Sequence, residues 1–152
     1  MAKGNNSNIG CCGEYYVAAE LERRGFLAVL TPANTPLFDI VAIKRDDPQK
    51  RVLIQVKTTF GKTNKWPLRK KNEEIKDKNT FYVFVRVENE KAPEFFIVPS
   101  RIVAEEIHNS HQKWLSTPGR YGQQRNDSAL RTFEIKDDKY IGGWESLDET
   151  DS

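Results

Sequence analysis

Five short stretches rich in β-branched and aromatic residues constrain the fold of this chain more than any other feature. They are residues 26–31, 38–44, 51–59, 80–87 and 94–98. Runs of this kind, bounded by Gly, Pro, Asn or charged residues, are typical of β-strands. The connection between the second and third stretches is short and polar. We therefore expect those two strands to form an antiparallel hairpin.

Helical patterns flank the predicted strands. Residues 10–24 place Glu14 on the same helical face as the apolar side chains Val17, Ala18 and Leu21, and the Gly that follows this segment is a typical stop. A second helix is predicted from the suitable N-cap Ser100 to about residue 115. We therefore expect an α/β (α+β) fold with a central mixed β-sheet flanked by helices.

The length of 152 residues fits a single domain. We place this domain at residues 9–144, between a disordered N-terminus (1–8) and an acidic flexible tail (145–152). The polar connection 60–79 is predicted to contain a short helix near residues 68–76. A short strand near 131–135 completes the predicted elements.

Composition excludes several classes of protein. No apolar run approaches the roughly 18 residues of a membrane span, and the polar start does not resemble a signal peptide. Cys11 and Cys12 are adjacent, which is poor geometry for a disulfide and is not a metal-ligand spacing. We expect a protein of the reducing cytoplasm with no membrane partner.

The small net charge of +2 hides a strong asymmetry along the chain. Residues 44–71 contain ten Lys or Arg against two acids, whereas residues 134–151 contain seven acids against two Lys. A basic run is often only a solvated face, but clustered Lys and Arg also supply most of the sequence-independent affinity for nucleic acid. We predict phosphate contacts from the side chains Lys62, Lys65, Arg69, Lys70 and Lys71.

Four polar side chains lie where the periodicity predicts a packed surface. Glu14 points from the first helix toward the sheet, and Asp39 interrupts an apolar strand. Gln55 and Lys57 share one face of the next strand, and the predicted hairpin brings Asp39 opposite roughly residue 56. Burial of such groups costs several kcal/mol unless they pair or bind an ion.

These residue types suit a hydrolytic metal site. Asp39 would anchor Mg²⁺ or Mn²⁺, with the Gln55 amide oxygen, the Val56 carbonyl and Glu14 completing the ligands. Lys57 would polarise the attacking water or stabilise charge in the transition state. The alternative is an internal salt bridge from Asp39 to Lys57 that only neutralises the strand face.

The sequence resembles the PD-(D/E)xK nuclease superfamily, and within it the archaeal Holliday junction resolvases. The resemblance covers residues 13–59 and lies in four motifs, which are Gly13-Glu14, Arg24-Gly25-Phe26, Phe38-Asp39-Ile40-Val41-Ala42 and Ile54-Gln55-Val56-Lys57-Thr58. It implies a restriction-endonuclease-like core, Mg²⁺-dependent cleavage of DNA and often a homodimer. It assigns Glu14 to the helix glutamate, Asp39 to the metal-binding aspartate, Gln55 to the (D/E) position and Lys57 to the motif lysine.

Gln55 departs from the superfamily pattern, because it replaces an acid and should weaken divalent-ion binding. Three functions therefore stay open. The first is a metal-dependent DNA endonuclease. The second is a catalytically inactive module of the same fold that binds nucleic acid. The third is a protein–protein subunit that docks through its acidic tail.

The remaining candidates are weaker. His108 and His111 are spaced one helical turn apart, but without a third ligand they are expected to face solvent. Arg120, Tyr121 and Arg125 form a second, more speculative nucleic-acid contact set on the loop 116–127. Trp114 and Trp144 are expected to pack in the core.

Overall fold

The computed structural model describes residues 6–149. None of the helices within this range is long and apolar enough to cross a bilayer. The elements follow in the order α1 (Asn6–Arg23), β1 (Phe26–Leu30), β2 (Ile40–Lys44), β3 (Arg51–Phe60), β4 (Lys65–Arg69), β5 (Thr80–Val87), β6 (Glu94–Pro99), α2 (Ser100–Ser116) and β7 (Leu130–Glu134).

Helix α1 begins earlier than predicted. Residues 6–8, for which we predicted disorder, are helical, and residues 1–5 lie outside the described range. After the helix, the chain turns into β1 through Gly25, whose φ of 87° is a left-handed conformation that glycine adopts without strain.

The central sheet has the strand order β1-β2-β3-β5-β6. Its strands are antiparallel except for the parallel pair β3 and β5, so the predicted mixed sheet is confirmed. The predicted hairpin of β2 and β3 is also confirmed, and it pairs Ile40 with Ile54. Asp39 lies just before β2 and donates its backbone N–H to the Ile54 carbonyl at 2.8 Å.

The connection 60–79 differs from the prediction. The short helix predicted near 68–76 is a 3₁₀ helix, Lys70–Glu74, and residues 68 and 69 belong instead to β4, which pairs with β7 in a separate antiparallel sheet. Trp66 and Leu68 are buried while their neighbours along β4 are exposed, which is the two-residue period of a strand.

Side chains from the two faces of the central sheet form two separate cores. On the first face, Val17 and Leu21 of α1 pack on the β-strand residues Ile40, Ile54 and Val56. On the second face, α2, β4 and β7 cover β5 and β6, burying a cluster made of Trp66, Leu68, Tyr82, Phe84, Phe96, Val98, Val103, Ile107, Phe133 and Ile135.

The same second face is open over β1, β2 and β3. Alternation along these strands directs five apolar side chains to this side, which we call the open half-face: Leu27, Val29, Val41, Ile43 and Leu53. Leu27 and Val29 are 40% and 44% exposed, and the other three are partly exposed. The second face is therefore half packed core and half apolar surface.

The acidic segment after residue 144 is packed, in contrast to the flexible tail that we predicted for 145–152. Trp144 and Leu147 belong to a 3₁₀ helix and are buried in the core of the first face. Asp148 forms an ion pair with Lys44. The apolar residues Trp144 and Leu147 anchor the segment despite its charge, and residues 150–152 lie outside the described range.

Candidate active site

Asp39 is fixed where β2 and β3 separate. Its Oδ2 accepts a hydrogen bond from Gln55 Nε2 at 2.9 Å and another from the Val56 backbone N–H at 2.8 Å. The sequence placed Asp39 opposite roughly residue 56, so the predicted neighbourhood is confirmed. These two donors hold one carboxylate oxygen and set the orientation of the other.

Lys57 lies two residues beyond Gln55 on the same side of β3. Burial lowers the pKa of Lys57, the Asp39 carboxylate opposes this shift, and the nearby cation Lys71 adds to it. Among residues 6–149, the ion pairs do not include one between Asp39 and Lys57. The simple internal salt bridge that we considered from the sequence is therefore not formed.

Glu14 reaches the site because α1 packs closely against β3. A Cβ added at Gly13 would lie 1.8 Å from Thr58 Oγ1, so only glycine allows this approach. Burial raises the pKa of Glu14, and the charge of Asp39 raises it further. Burial also raises the pKa of Asp39, although the Val56 amide and Lys57 act in the opposite direction.

The donor set fits a divalent cation with oxygen ligands. Residues 6–149 contain no cluster of three or more His, Cys, Asp or Glu side chains able to hold a metal. Two half-buried carboxylates nevertheless lie close enough to repel each other, and a cation between them would relieve that repulsion. The Val56 carbonyl faces the Asp39 side, because the amide and carbonyl of one strand residue point the same way.

The predicted phosphate-binding residues divide between two places. The 3₁₀ helix that carries Lys71 lies beside Gln55, because its Asn72 donates a hydrogen bond to Tyr82, the register partner of Gln55. Lys65 instead lines a cavity of about 370 Å³ between α2 and β7, away from Asp39. Among the described residues, Lys62, Lys65, Lys70 and Lys71 form no ion pair with a carboxylate, which leaves their charges available for phosphates.

The structure tests several of the weaker candidates from the sequence. His111 is buried and its Nε2 lies 2.7 Å from Asp127 Oδ1, so the prediction of a solvent-facing His108–His111 pair is wrong for His111. Trp144 is buried as predicted, whereas Trp114 is 40% exposed because it lies on the outer side of α2 under the Arg125 guanidinium. Both cysteines are free.

No family model and no curated protein matches the chain. Among solved structures, it is similar to a bacterial homing endonuclease, I-Ssp6803I, at 15% identity and a TM-score of 0.50, over 94% of this chain and 91% of that one. It is also similar to Hjc, a Holliday junction resolvase from the archaeal hyperthermophile Archaeoglobus fulgidus, at 15% identity and a TM-score of 0.48, over 82% and 83%. The likeness to the homing endonuclease confirms the nuclease-like fold expected from the sequence.

Proposed function

We propose that this protein is a metal-dependent endonuclease that hydrolyses phosphodiester bonds in DNA. The observation that carries the proposal is the double hydrogen bond from Gln55 and Val56 to Asp39. This arrangement positions a half-buried carboxylate beside Glu14 and Lys57 on a nuclease-like fold. Such a cluster of ionisable groups with shifted pKa values is more typical of a catalytic site than of a packing surface.

Asp39 and Glu14 would hold Mg²⁺ or Mn²⁺, with the Val56 carbonyl and the Gln55 amide oxygen as neutral ligands. The bound cation would lower the pKa of a water ligand and polarise the phosphate. Lys57 stands next to this position and stabilises the negative charge that develops on the phosphate oxygens. The same ammonium group can donate a hydrogen bond that orients the attacking water.

Gln55 has a second role besides offering its amide oxygen to the cation, since it also donates a hydrogen bond to Asp39. A glutamate at the same position would place another negative charge against Asp39, whereas the Gln55 amide donates a hydrogen bond to it. Gln55 therefore stabilises the ionised Asp39 in the absence of metal. The cost is one negative charge fewer for binding a divalent cation.

The alternative is a nuclease-fold module that binds nucleic acid without cleaving it, and the observation favouring it is the neutral Gln55. A protein–protein role for the acidic segment is less favoured, because Trp144 and Leu147 of that segment pack in the core of the first face. A homodimer, which the resemblance implies, would use the open half-face, since five apolar side chains of the described residues lie together there without a covering element.

The deciding experiment is a cleavage assay on plasmid and branched DNA with Mg²⁺ or Mn²⁺. We expect wild-type nicking that Asp39→Ala and Lys57→Ala abolish, while Asp46→Ala, an exposed acid in the β2–β3 turn, cleaves normally. If the wild type binds DNA in a salt-sensitive way but does not cleave it, the endonuclease proposal is contradicted and the binding module is supported. Cleavage retained in the variants of Asp39 and Lys57 would contradict the assigned site.

A further inference from the structure

The 3₁₀ helix Lys70–Glu74 next to the candidate active site has two kinds of side chain. Asn72 is 5% exposed and Glu73 is largely covered, whereas Lys70 and Lys71 are exposed. The helix therefore turns Asn72 and Glu73 inward, whereas Lys70, Lys71 and Glu74 face outward. The sequence indicated the cations, but nothing in its pattern indicated a role for Asn72.

Asn72 ties this helix to the central sheet. Its Oδ1 accepts a hydrogen bond from the Arg69 backbone N–H at 2.8 Å, and its Nδ2 donates to the Tyr82 hydroxyl at 2.9 Å. Tyr82 is fully buried, and on the neighbouring strand its register partner is Gln55. The anchor point of the helix is thus one strand away from the residue that holds Asp39.

Glu73 makes a second attachment, which joins the helix to β7 and α2. It accepts a hydrogen bond from the buried Arg131 of β7, and its other oxygen lies 3.3 Å from His108 Nδ1 on α2. Three elements, β5, β7 and α2, therefore fix the position of a five-residue segment. A segment attached in this way keeps its exposed lysines in place before any ligand arrives.

Lys71 is placed beside Lys57 although like charges repel. Lys71 adjoins Asn72, whose partner Tyr82 lies opposite Gln55, and Lys57 follows Gln55 on the same side of β3. Within residues 6–149, Lys71 has no carboxylate partner. An anion would satisfy both cations at once. A polynucleotide repeats its phosphates along the strand, so it can offer one phosphate to Lys57 and a neighbouring one to Lys71.

We propose that Lys71 binds a phosphate adjacent to the one that Lys57 contacts, and that Asn72 and Tyr82 are positioning residues that hold Lys71 there. This inference rests on the proposed function, and it assigns the site a second phosphate of the DNA strand. A polynucleotide has the second phosphate, and a small phosphodiester with a single phosphate does not. The site should therefore discriminate between these two classes through Lys71.

Lys71→Ala tests the phosphate contact, with Lys78→Ala, an exposed lysine of the same connection, as the matched control. Duplex DNA binding without metal, measured between about 50 and 200 mM salt, should lose about one unit of the log–log salt slope in Lys71→Ala. With Mg²⁺ or Mn²⁺, cleavage of an oligonucleotide should fall about tenfold. Hydrolysis of bis(p-nitrophenyl) phosphate should fall less than oligonucleotide cleavage, because this substrate has no second phosphate for Lys71 to bind.

Each result separates this inference from the proposed function. A salt slope and oligonucleotide cleavage in Lys71→Ala equal to those in Lys78→Ala would overturn the contact, whether or not the wild type is a nuclease. If the wild type cleaves no DNA but Lys71→Ala still lowers the salt slope, the phosphate contact stands while the proposed function fails. An equal loss on the small phosphodiester would overturn the assignment of Lys71 to a second phosphate.

Tyr82→Phe tests the positioning role, since it removes the hydroxyl that Asn72 binds and keeps the ring that stacks on Phe84. We expect Tyr82→Phe to weaken DNA binding in the wild-type background and to have no further effect in Lys71→Ala. An additive loss in the double variant would show a general structural effect and overturn the positioning role. Circular dichroism and thermal melting verify that each variant is folded.

Discussion

The two halves of the second sheet face differ in what covers them. Over β5 and β6, the side chains of α2, β4 and β7 bury an aromatic cluster in which Phe84 stacks on Phe133 with ring centroids 4.5 Å apart. Over β1 to β3, the open half-face remains accessible. The candidate catalytic side chains Gln55 and Lys57 lie at the boundary between the two halves, on β3. One half is therefore packed core, and the candidate catalytic side chains lie where this core ends.

The largest expected effect is on the covered half. Phe84→Ala removes a fully buried ring and should cost about 3–5 kcal/mol of unfolding free energy. The matched change on the open half-face, Leu27→Ala, should cost less than about 1 kcal/mol, because Leu27 is already 40% exposed. Urea unfolding of both variants gives the comparison. Equal losses would mean that the open half-face is covered in solution.

The next largest effect is expected at Asp39, which is bonded to Gln55 at the boundary between the two halves. Asp39→Asn keeps an oxygen that can accept the hydrogen bonds from Gln55 and Val56 but removes the charge. We expect cleavage to fall at least about 10²–10³-fold. Asp46→Asn in the exposed turn is the control and should retain full activity.

The same variant should be more stable without metal. Burial raises the pKa of Asp39, so the folded state binds a proton more tightly than the unfolded state. The contribution of Asp39 to folding stability is therefore greatest below the pKa that it has in the unfolded chain. It is lost as the pH rises through the pKa that it has in the folded chain. Asp39→Asn has no group that ionises here, so it should avoid this loss of stability. Its melting temperature in chelator should therefore exceed that of the wild type at neutral pH. A lower melting temperature would contradict the burial of a destabilising charge.

A smaller effect is expected at the contact of α1 with β3. Gly13→Ala forces a methyl group against Thr58 and should cost about 1–3 kcal/mol. Gly10→Ala is a matched control in the same helix, because nothing lies within 4 Å of its added Cβ. It should stabilise by about 0.4–1 kcal/mol. Thermal or urea unfolding that shows the same sign for both would contradict the close helix–strand approach.

Gln55→Glu changes the charge at the boundary rather than the packing. It replaces the hydrogen bond to Asp39 with a second carboxylate, so we expect lower stability in chelator and tighter divalent-ion binding. About tenfold tighter binding would correspond to about 1.4 kcal/mol. The increase of melting temperature with Mg²⁺ or Mn²⁺ measures this, and Gln49→Glu in the exposed turn is the control. An unchanged metal response would show that position 55 does not contribute to a metal site.

Sequence reasoning located the part of the site that depends on local pairing. Asp39, Gln55 and Val56 belong to one hairpin, so alternation and a short turn suffice to bring them together. Glu14 was accessible through helical periodicity. The pairing of β4 with β7 was not, because the two strands are separated by most of the second half of the chain and the sequence of β4 is polar outside Trp66 and Leu68.

Side-chain anchoring was the least predictable feature. Asn72 and Glu73 lie in a segment whose sequence is typical of a solvated basic connection. Their partners, Tyr82 and Arg131, come from two different strands. The packing of the acidic segment was unpredictable for the same reason, since it depends on the contacts of Trp144 and Leu147 with the core of the first face. Contacts of this kind are set by tertiary structure and have no periodic pattern in the sequence.

The smallest effect on the folded chain is expected from Val29→Asp on the open half-face. Val29 is 44% exposed, so the free energy of unfolding should change by no more than about 0.5 kcal/mol when the protein is dilute. Its effect should instead be on association. If two copies pack through the open half-face, light scattering across a concentration series should show a wild-type dimer that Val29→Asp dissociates. Tyr121→Asp, which changes an 84% exposed aromatic residue outside this surface, should leave the dimer intact. A wild type that stays monomeric at every concentration would contradict the homodimer, and equal dissociation by both variants would contradict its assignment to this surface.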